Sequence, residues 1–200
     1  MEISESSSLD AKQQYFFALR VPEAMHAPLR LVQDHLPFSG LRLTKTNDFH
    51  VTFKFLGEMD LVKELQVRIA TKDLIKKMAF ALEDLELTFT KVGYFNHKGQ
   101  PSVVWAGVKM SETLYQFQYE LQVLLGSFGF KVEKDRFRPH VTVARLRDVA
   151  EATSSDVKAA LNQLGVKRQS FSVGTLDLIK SHLKFDEAPE HELVESIEFV

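Results

Sequence analysis

Residues 49–58 read FHVTFKFLGE, and residues 137–146, in the second half of the chain, read FRPHVTVARL. Both stretches are rich in β-branched and aromatic residues, which is typical of β-strands, and both contain the tripeptide His-Val-Thr. Side chains two positions apart on a strand point to the same face. The duplication therefore predicts two similar halves of the fold, each with a histidine and a threonine on one face of a strand: His50 with Thr52, and His140 with Thr142.

The same alternation assigns the neighbouring side chains to one face or the other. Lys54 extends the polar face of the first strand, whereas Phe55 points with the apolar residues toward a core. On the second strand Arg138 shares the face of His140. Strict alternation places Arg145 on the opposite face, so it either curls back at the end of the strand or is an ordinary surface charge.

The rest of the chain alternates short strands with helices and includes hairpins, which indicates an α+β fold with mainly antiparallel sheets. Asp60 and Ser111 are suited to cap two of the helices. The predicted strands cover residues 14–20, 41–44, 49–58, 85–94, 102–108, 137–146, 169–179 and 193–199. The predicted helices cover residues 22–35, 61–82 and 155–164, with a further one between Ser111 and Gly126.

Composition excludes several classes of protein. The chain has 200 residues, 44% hydrophobic and 26% charged, which fits one globular domain preceded by an acidic, serine-rich and disordered tail over residues 1–13. A net charge of −2 argues against a general binder of nucleic-acid backbone. The absence of cysteine excludes disulfides and zinc–thiolate sites. Without a signal peptide or a long apolar run, we expect a cytoplasmic monomer with no membrane contact.

Two histidines that face each other suit acid–base catalysis. A neutral imidazole can take a proton from an attacking hydroxyl or water, and a protonated one can give a proton to the leaving oxygen. Threonine hydroxyls and a cationic side chain can hold phosphate oxygens as charge builds on them. The sequence has no HExxH motif and no carboxylate beside either tripeptide, so we expect no metal and no cofactor.

At these residues the sequence resembles the 2H phosphoesterase superfamily, and specifically its RNA 2′,3′-cyclic phosphodiesterases, historically called 2′-5′ RNA ligases. The resemblance rests on HVTFKFLG (residues 50–57) and FRPHVTVAR (residues 137–145), with support from YFFALRVP (residues 15–22) and VWAGV (residues 104–108). It implies a bilobal, pseudo-symmetric α+β domain over residues 14–200. In such a fold, two mainly antiparallel sheets line a central cleft and the helices lie outside.

The resemblance also implies roles for particular residues. His50 is expected to act as general acid and His140 as the base, with Thr52 and Thr142 holding the phosphate. Arg145 matches the arginine of the family motif, and Arg138 joins the phosphate-binding candidates by its strand face. The implied activity is a metal-independent opening of an RNA 2′,3′-cyclic phosphate to a 2′-phosphomonoester, and some family members also join or cleave 2′-5′ linkages.

Two alternatives remain open at this point. One is a 2′,5′-oligoadenylate phosphodiesterase, and the other is a non-catalytic module that binds nucleotides or RNA. In each case the partners are RNA ends or nucleotides carrying a 2′,3′-cyclic phosphate or a 2′-5′ linkage. Trp105 is expected in the core and His191 has no expected role. The cations of the 61–82 helix form either a solvated face or an RNA-facing surface.

Overall fold

The computed structural model describes residues 12–37, 40–133, 136–146, 154–183 and 188–199. Of the predicted N-terminal tail, residues 1–11 lie outside the described residues, and residues 12 and 13 begin the first strand. The elements, in chain order, are β1 (Lys12–Arg20), α1 (His26–Asp34), β2 (Leu41–Leu43), β3 (His50–Gly57), α2 (Leu61–Leu82), β4 (Glu86–His97), β5 (Gln100–Val108), α3 (Glu112–Ser127), β6 (His140–Leu146), α4 (Ser154–Gln163), β7 (Ser170–Ser172), β8 (Thr175–Leu183) and β9 (Glu190–Glu198).

The strands pair antiparallel in the order β7-β4-β5-β6-β3-β1-β8-β9, with β2 added beside β6. The two central strands, β3 and β6, carry the two His-Val-Thr tripeptides and meet at the pair formed by Val51 and Val141. On each side of this junction lie three further strands of the path, so each half repeats the same four-strand arrangement. The predicted α+β fold with two antiparallel halves is confirmed, and the two sheets are continuous through the junction.

Local sequence signals account for several element boundaries. The Asp60 carboxylate accepts a hydrogen bond of 2.7 Å from the Lys63 backbone N–H at the start of α2, and Ser111 caps α3 in the same way. Lys98 and Gly99 both have positive φ and form the two-residue turn between β4 and β5. Strands β4 and β5 extend up to this turn, beyond the ends predicted from alternation. The predicted strand over residues 169–179 is divided into β7 and β8.

Helices cover the apolar face of the sheet in both halves. Phe53 of β3 packs against Phe117 of α3, with ring centroids 4.9 Å apart, and Phe17 and Leu19 of β1 are fully buried. Burying a side chain of this size contributes roughly 1.5–3 kcal/mol. The opposite face of the sheet is therefore the one available to form a cleft.

Some of the charged side chains of α2 form ion pairs that attach this helix to the sheet. Arg68 and Lys72 form ion pairs of 2.8 and 2.6 Å with Glu195 of β9. Tyr15 of β1 donates a hydrogen bond of 3.0 Å to Glu64 of the same helix. Two of the cations that the sequence presents as a solvated or RNA-facing surface therefore contribute to the packing of the domain. None of the described helices is long and apolar enough to cross a membrane.

Two matching β-bulges alter the expected alternation along β3 and β6. Neighbouring residues of β1 pair with Lys54 and Thr52, which leaves Phe53 as the extra residue of β3. In the other half, neighbouring residues of β5 pair with Ala144 and Thr142, which leaves Val143 as the extra residue of β6. Each bulge shifts the alternation by one position, and both strands show the same order of buried and exposed side chains.

The bulges correct three predictions about side-chain direction. Lys54 is not on the polar face but is buried, with 4% of its surface exposed, whereas Phe55 is 61% exposed and leaves the core. Arg145 occupies the position on β6 that Phe55 occupies on β3, and both side chains lie on the cleft side of the sheet. The bulge, rather than a curled strand end, therefore brings Arg145 to the face of His140.

Candidate active site

A cleft with two arms lies over the junction of the two halves. One arm, of about 430 Å³, is lined by His50, Thr142 and Arg145 among others, and is called the His50 arm below. The other, of about 510 Å³, is lined by His140 and Arg138 and is called the His140 arm. Two side chains line both arms and mark the place where the arms meet: Thr52 and Phe55.

The register between the central strands brings the two tripeptides together. Val51 lies opposite Val141 in an antiparallel pair. In antiparallel pairing, the residue before Val51 lies beside the residue after Val141, and the reverse. His50 therefore lies next to Thr142, and Thr52 next to His140, all on the face away from the core. Residues opposite each other in such a pair have Cβ atoms about 4.5–5.5 Å apart. The fold therefore gathers two imidazoles and two hydroxyls around one point.

The two histidines are held in the same way. Nδ1 of His50 lies 2.7 Å from the Asp48 carbonyl oxygen, and Nδ1 of His140 lies 2.7 Å from the Arg138 carbonyl oxygen. A carbonyl oxygen can only accept, so Nδ1 of each ring carries the proton and donates it. In the neutral form Nε2 is therefore the basic nitrogen of both rings. This atom is the one that can exchange a proton with a bound molecule.

Both imidazoles favour the neutral form. Burial and then the neighbouring His191 ring lower the pKa of His50 from 6.5 to about 4, against an opposing effect of the hydrogen bond to Asp48. Burial also lowers the pKa of His140, and the Arg145 guanidinium adds to this effect. Lowered pKa values of this kind are typical of groups that exchange protons in a catalytic site.

Aromatic rings flank each histidine, and some of them were not predicted to be at the site. Phe16 and His191 lie against His50, with ring centroids 5.1 and 5.7 Å away. Phe95 and Trp105 lie against His140, at 4.9 and 6.2 Å. His191, for which the sequence suggested no role, is also 3.2 Å from the Asp48 carboxylate, through its Nδ1.

Trp105 does not lie in the core, where the sequence predicts it. It pairs with Thr142 across β5 and β6 and is only half-buried, on the cleft side of the sheet. Its indole ring lies over Gly93 of β4, where a Cβ atom would come within 2.4 Å of the ring. A glycine directly across the strand pair from a tryptophan is a signal in the sequence that could have indicated this arrangement.

The predicted cations are divided between the arms. Arg145 lines the His50 arm, and its charge acts on His140, so it lies close to both halves of the site. Arg138 is exposed in the His140 arm. Lys54 lines the His140 arm, but its ammonium group is engaged by the protein: it donates to the Lys131 carbonyl oxygen at 2.7 Å and to Glu133 at 2.9 Å. It thereby ties the segment that precedes β6 to β3.

Taken together, the structure places both histidines and both threonines at one site, with Arg138 and Arg145 in separate arms. Such a site can bind an anion through cations and hydroxyls and can move protons through two Nε2 atoms. Among the described residues, no group of three histidine, aspartate or glutamate side chains is arranged to hold a metal ion.

Known proteins resemble this chain in sequence. A sequence model of the 2′-5′ RNA ligase superfamily matches residues 48–184. The RNA 2′,3′-cyclic phosphodiesterase of Bacillus subtilis is 24% identical over 175 residues, which are 86% of this chain and 92% of the relative. That of Methanothermobacter thermautotrophicus is 25% identical over 178 residues, which are 88% of this chain and 91% of the relative.

Solved structures share the fold. A protein of Thermus thermophilus superposes with a TM-score of 0.75 at 22% identity, over 93% of this chain and 97% of the other. Escherichia coli LigT in complex with 3′-AMP gives a TM-score of 0.68 at 22% identity, over 92% of this chain and 97% of the other. The resemblance drawn from the two His-Val-Thr tripeptides is confirmed, since the matched family model covers more than half of the sequence. The chain belongs to the 2′-5′ RNA ligase superfamily.

Proposed function

We propose that this protein opens the 2′,3′-cyclic phosphate at an RNA 3′ end to a 2′-phosphomonoester, without a metal ion. The observation that carries the proposal is the paired, equivalent anchoring of two histidines through Nδ1 on either side of one point. A module that only binds nucleotides needs cations and hydroxyls, but it has no need for two oriented proton-exchanging nitrogens. The curated relatives in the superfamily carry the same activity in their names.

The proposed reaction uses the four central residues together. His140 takes a proton from water as the water oxygen forms a bond to phosphorus. The bond from phosphorus to the ribose 3′ oxygen breaks, and protonated His50 donates its Nε2 proton to that oxygen. Thr52 and Thr142 donate hydrogen bonds to the phosphate oxygens, and Arg145 offsets their growing negative charge. Exchange with solvent then returns His140 to its neutral form and His50 to its protonated form.

The charge next to His140 supports its role as the base. After burial, which dominates both pKa shifts, the charged groups near each ring differ. At His50 the His191 ring lowers the pKa more than the Asp48 carboxylate raises it, so the acid role depends on the charge of the substrate. The Arg145 guanidinium disfavours a proton on His140, which suits a base. An anionic phosphate bound between the rings favours protonation of the acid further.

A second candidate substrate is a 2′-5′ phosphodiester linkage. The His140 arm gives space on the far side of the central residues from the His50 arm, and it carries Arg138. A nucleoside in each arm would flank a phosphodiester at the centre. The same acid and base would then act on an internal linkage instead of a cyclic end, as in an oligoadenylate phosphodiesterase or in the reverse, ligating direction.

The direct test is incubation with an RNA oligonucleotide that ends in a 2′,3′-cyclic phosphate, in buffer containing EDTA. We expect full conversion to a 2′-phosphate end, because every group in the proposed reaction belongs to the protein. Products are identified by mass spectrometry and by resistance of the 2′-phosphate to a 3′-specific phosphatase. A 2′-5′-linked adenylate dimer is tested in parallel. Cleavage of the dimer alone would move the proposal to the second substrate, and binding of both without turnover would refute an enzymatic role.

The pH dependence of the reaction is expected to reflect the lowered pKa values. One histidine must be protonated and the other neutral, so kcat/KM is expected to follow a bell-shaped curve. Because burial lowers the pKa of both rings below 6.5, the alkaline limb of kcat/KM should begin below pH 6.5. The alkaline limb of kcat should lie at higher pH than that of kcat/KM, because the phosphate of the bound substrate stabilises an imidazolium.

Steady-state rates measured from pH 4 to pH 9 at constant ionic strength check this expectation. Proton NMR of the two rings in the free protein is the independent measurement, and the His50 ring should remain neutral down to about pH 4. An alkaline limb of kcat/KM well above pH 7 would contradict the burial that lowers both values.

A further inference from the structure

Three cations line the His50 arm on the side of β2. Strand β2 pairs with β6 so that Arg42 lies directly opposite Arg145, and Lys45 follows shortly after on the same segment. All three side chains line this arm. Asp48 is the one acidic side chain among the described residues that line it, and it lies against His191. The protein as a whole has a net charge of −2, so this accumulation of positive charge is local.

The cations lie at increasing distance from the histidines. Arg145 lies on β6, in the same strand as His140, and Arg42 lies opposite it on β2, further along β6 from the Val51–Val141 pair that joins the two histidine strands. Neighbouring strands are about 4.8 Å apart. Arginine and lysine side chains form charge-assisted hydrogen bonds with phosphate oxygens. An anion at Arg42 and Lys45 would therefore be a second one, next to the phosphate that Arg145 contacts.

The backbone that carries these cations is fixed. The Thr44 N–H donates to the Val143 carbonyl oxygen at 3.0 Å, which continues the pairing of β2 with β6. The Asp48 N–H donates to the Lys45 carbonyl oxygen at 2.9 Å, in the turn that leads to His50. The segment from Arg42 to Lys45 is thus held between the two strands of the active site. The backbone that carries each cation is therefore positioned before a ligand arrives.

Between the cations and the histidines, the wall of the arm is apolar. Phe16, Leu43 and Leu183 line it, and Phe55 stands at the junction of the two arms. A nucleoside fits such a wall, with its reacting phosphate at the histidines. Its opposite end then points toward the second group of cations.

We propose, on the basis of the proposed function, that Arg42 and Lys45 bind the phosphate on the 5′ side of the terminal nucleoside. The substrate class is therefore a chain end, or a nucleotide with a 5′-phosphate, rather than a free nucleoside cyclic phosphate. With this subsite, a protein of negative net charge can select RNA ends, because it binds only two phosphates: the reacting one and the one on the 5′ side.

The test measures binding and turnover separately. Calorimetry compares adenosine 2′-phosphate with adenosine 2′,5′-bisphosphate, and the bisphosphate is expected to bind the parent protein about tenfold or more tightly, as for one charge-assisted contact. Arg42→Gln and Lys45→Gln should each reduce this ratio severalfold, and the double variant should bring it close to one. Lys77→Gln, at an exposed position of α2, is the matched control for loss of one positive charge and should keep the parent ratio.

Turnover of adenosine 2′,3′-cyclic phosphate with and without a 5′-phosphate is measured on the same proteins. A bisphosphate preference that depends on Arg42 and Lys45 supports the subsite, whether or not cyclic phosphate is opened. Turnover without any preference would overturn the subsite and leave the proposed function intact. A preference abolished instead by Arg136→Gln, in the His140 arm, would also overturn it. Binding preference without turnover would refute the proposed function alone.

Discussion

Replacing His140 with asparagine is expected to lower kcat for cyclic-phosphate opening by about 10²–10⁴-fold, and His50→Asn is expected to have a similar effect. Each ring donates through Nδ1 to a backbone carbonyl two residues before it, and asparagine can retain this polar contact without supplying a group that exchanges protons. The loss should therefore appear in kcat, while the Kd for adenosine 2′-phosphate changes little. The two losses should not add in the double variant, because the residues act as a pair.

The matched control is His35→Asn, at an exposed histidine that also contacts a backbone carbonyl, that of Leu31. It should keep parental kcat. Single-turnover rates and thermal unfolding are measured for the parent and all four variants, so that a folding defect is distinguished from a chemical one. Parental kcat in either His50→Asn or His140→Asn, with normal unfolding, would exclude the two-histidine mechanism.

The features predictable from the sequence are those set by neighbouring residues. The shared faces of His50 with Thr52 and of His140 with Thr142 follow from strand geometry within three residues. Likewise the caps at Asp60 and Ser111 depend only on the first turn of each helix. The α+β class follows from the alternation of such local segments, and the internal repeat indicates the pseudo-symmetry of the two halves.

Features that arise from pairing between strands could not be predicted in the same way. The bulges at Phe53 and Val143 exist because β1 and β5 skip one residue of their partners, and nothing within β3 or β6 signals this. Strict alternation therefore wrongly predicted Lys54 on the polar face and Phe55 in the core. His191 reaches His50 only because β9 lies beside β8 at the edge of the same half, a contact between distant parts of the chain.

The equivalent bulges also show how a symmetric scaffold holds an asymmetric site. After the bulge, β3 presents Phe55 to the cleft and β6 presents Arg145 at the matching position. Beyond the two histidine–threonine pairs, one half thus supplies an aromatic ring and the other a cation. A nucleotide bound as proposed would meet different chemistry on the two sides, which would fix the direction in which it lies.

Replacing Gly93 with alanine is expected to lower kcat about ten- to hundredfold while the protein stays folded. A Cβ atom at this position would lie 2.4–2.5 Å from the nearest atoms of the Trp105 indole, so the ring must move. The indole contacts the His140 ring, and a displaced ring lets that imidazole leave its productive position. Misplacement of a reacting group by about 1 Å can cost 10²-fold in rate.

Trp105 is the single tryptophan of the chain, so its fluorescence reports directly on this movement. Gly93→Ala should shift the emission maximum toward longer wavelength as the ring becomes more solvated. Gly174→Ala is the matched control, since a Cβ atom there meets no atom within 4 Å. It should leave both emission and kcat at parental values. If Gly93→Ala also left them unchanged, the contact between Trp105 and His140 would have no part in holding the base, and the orientation of His140 would rest on Phe95 and on the hydrogen bond to the Arg138 carbonyl.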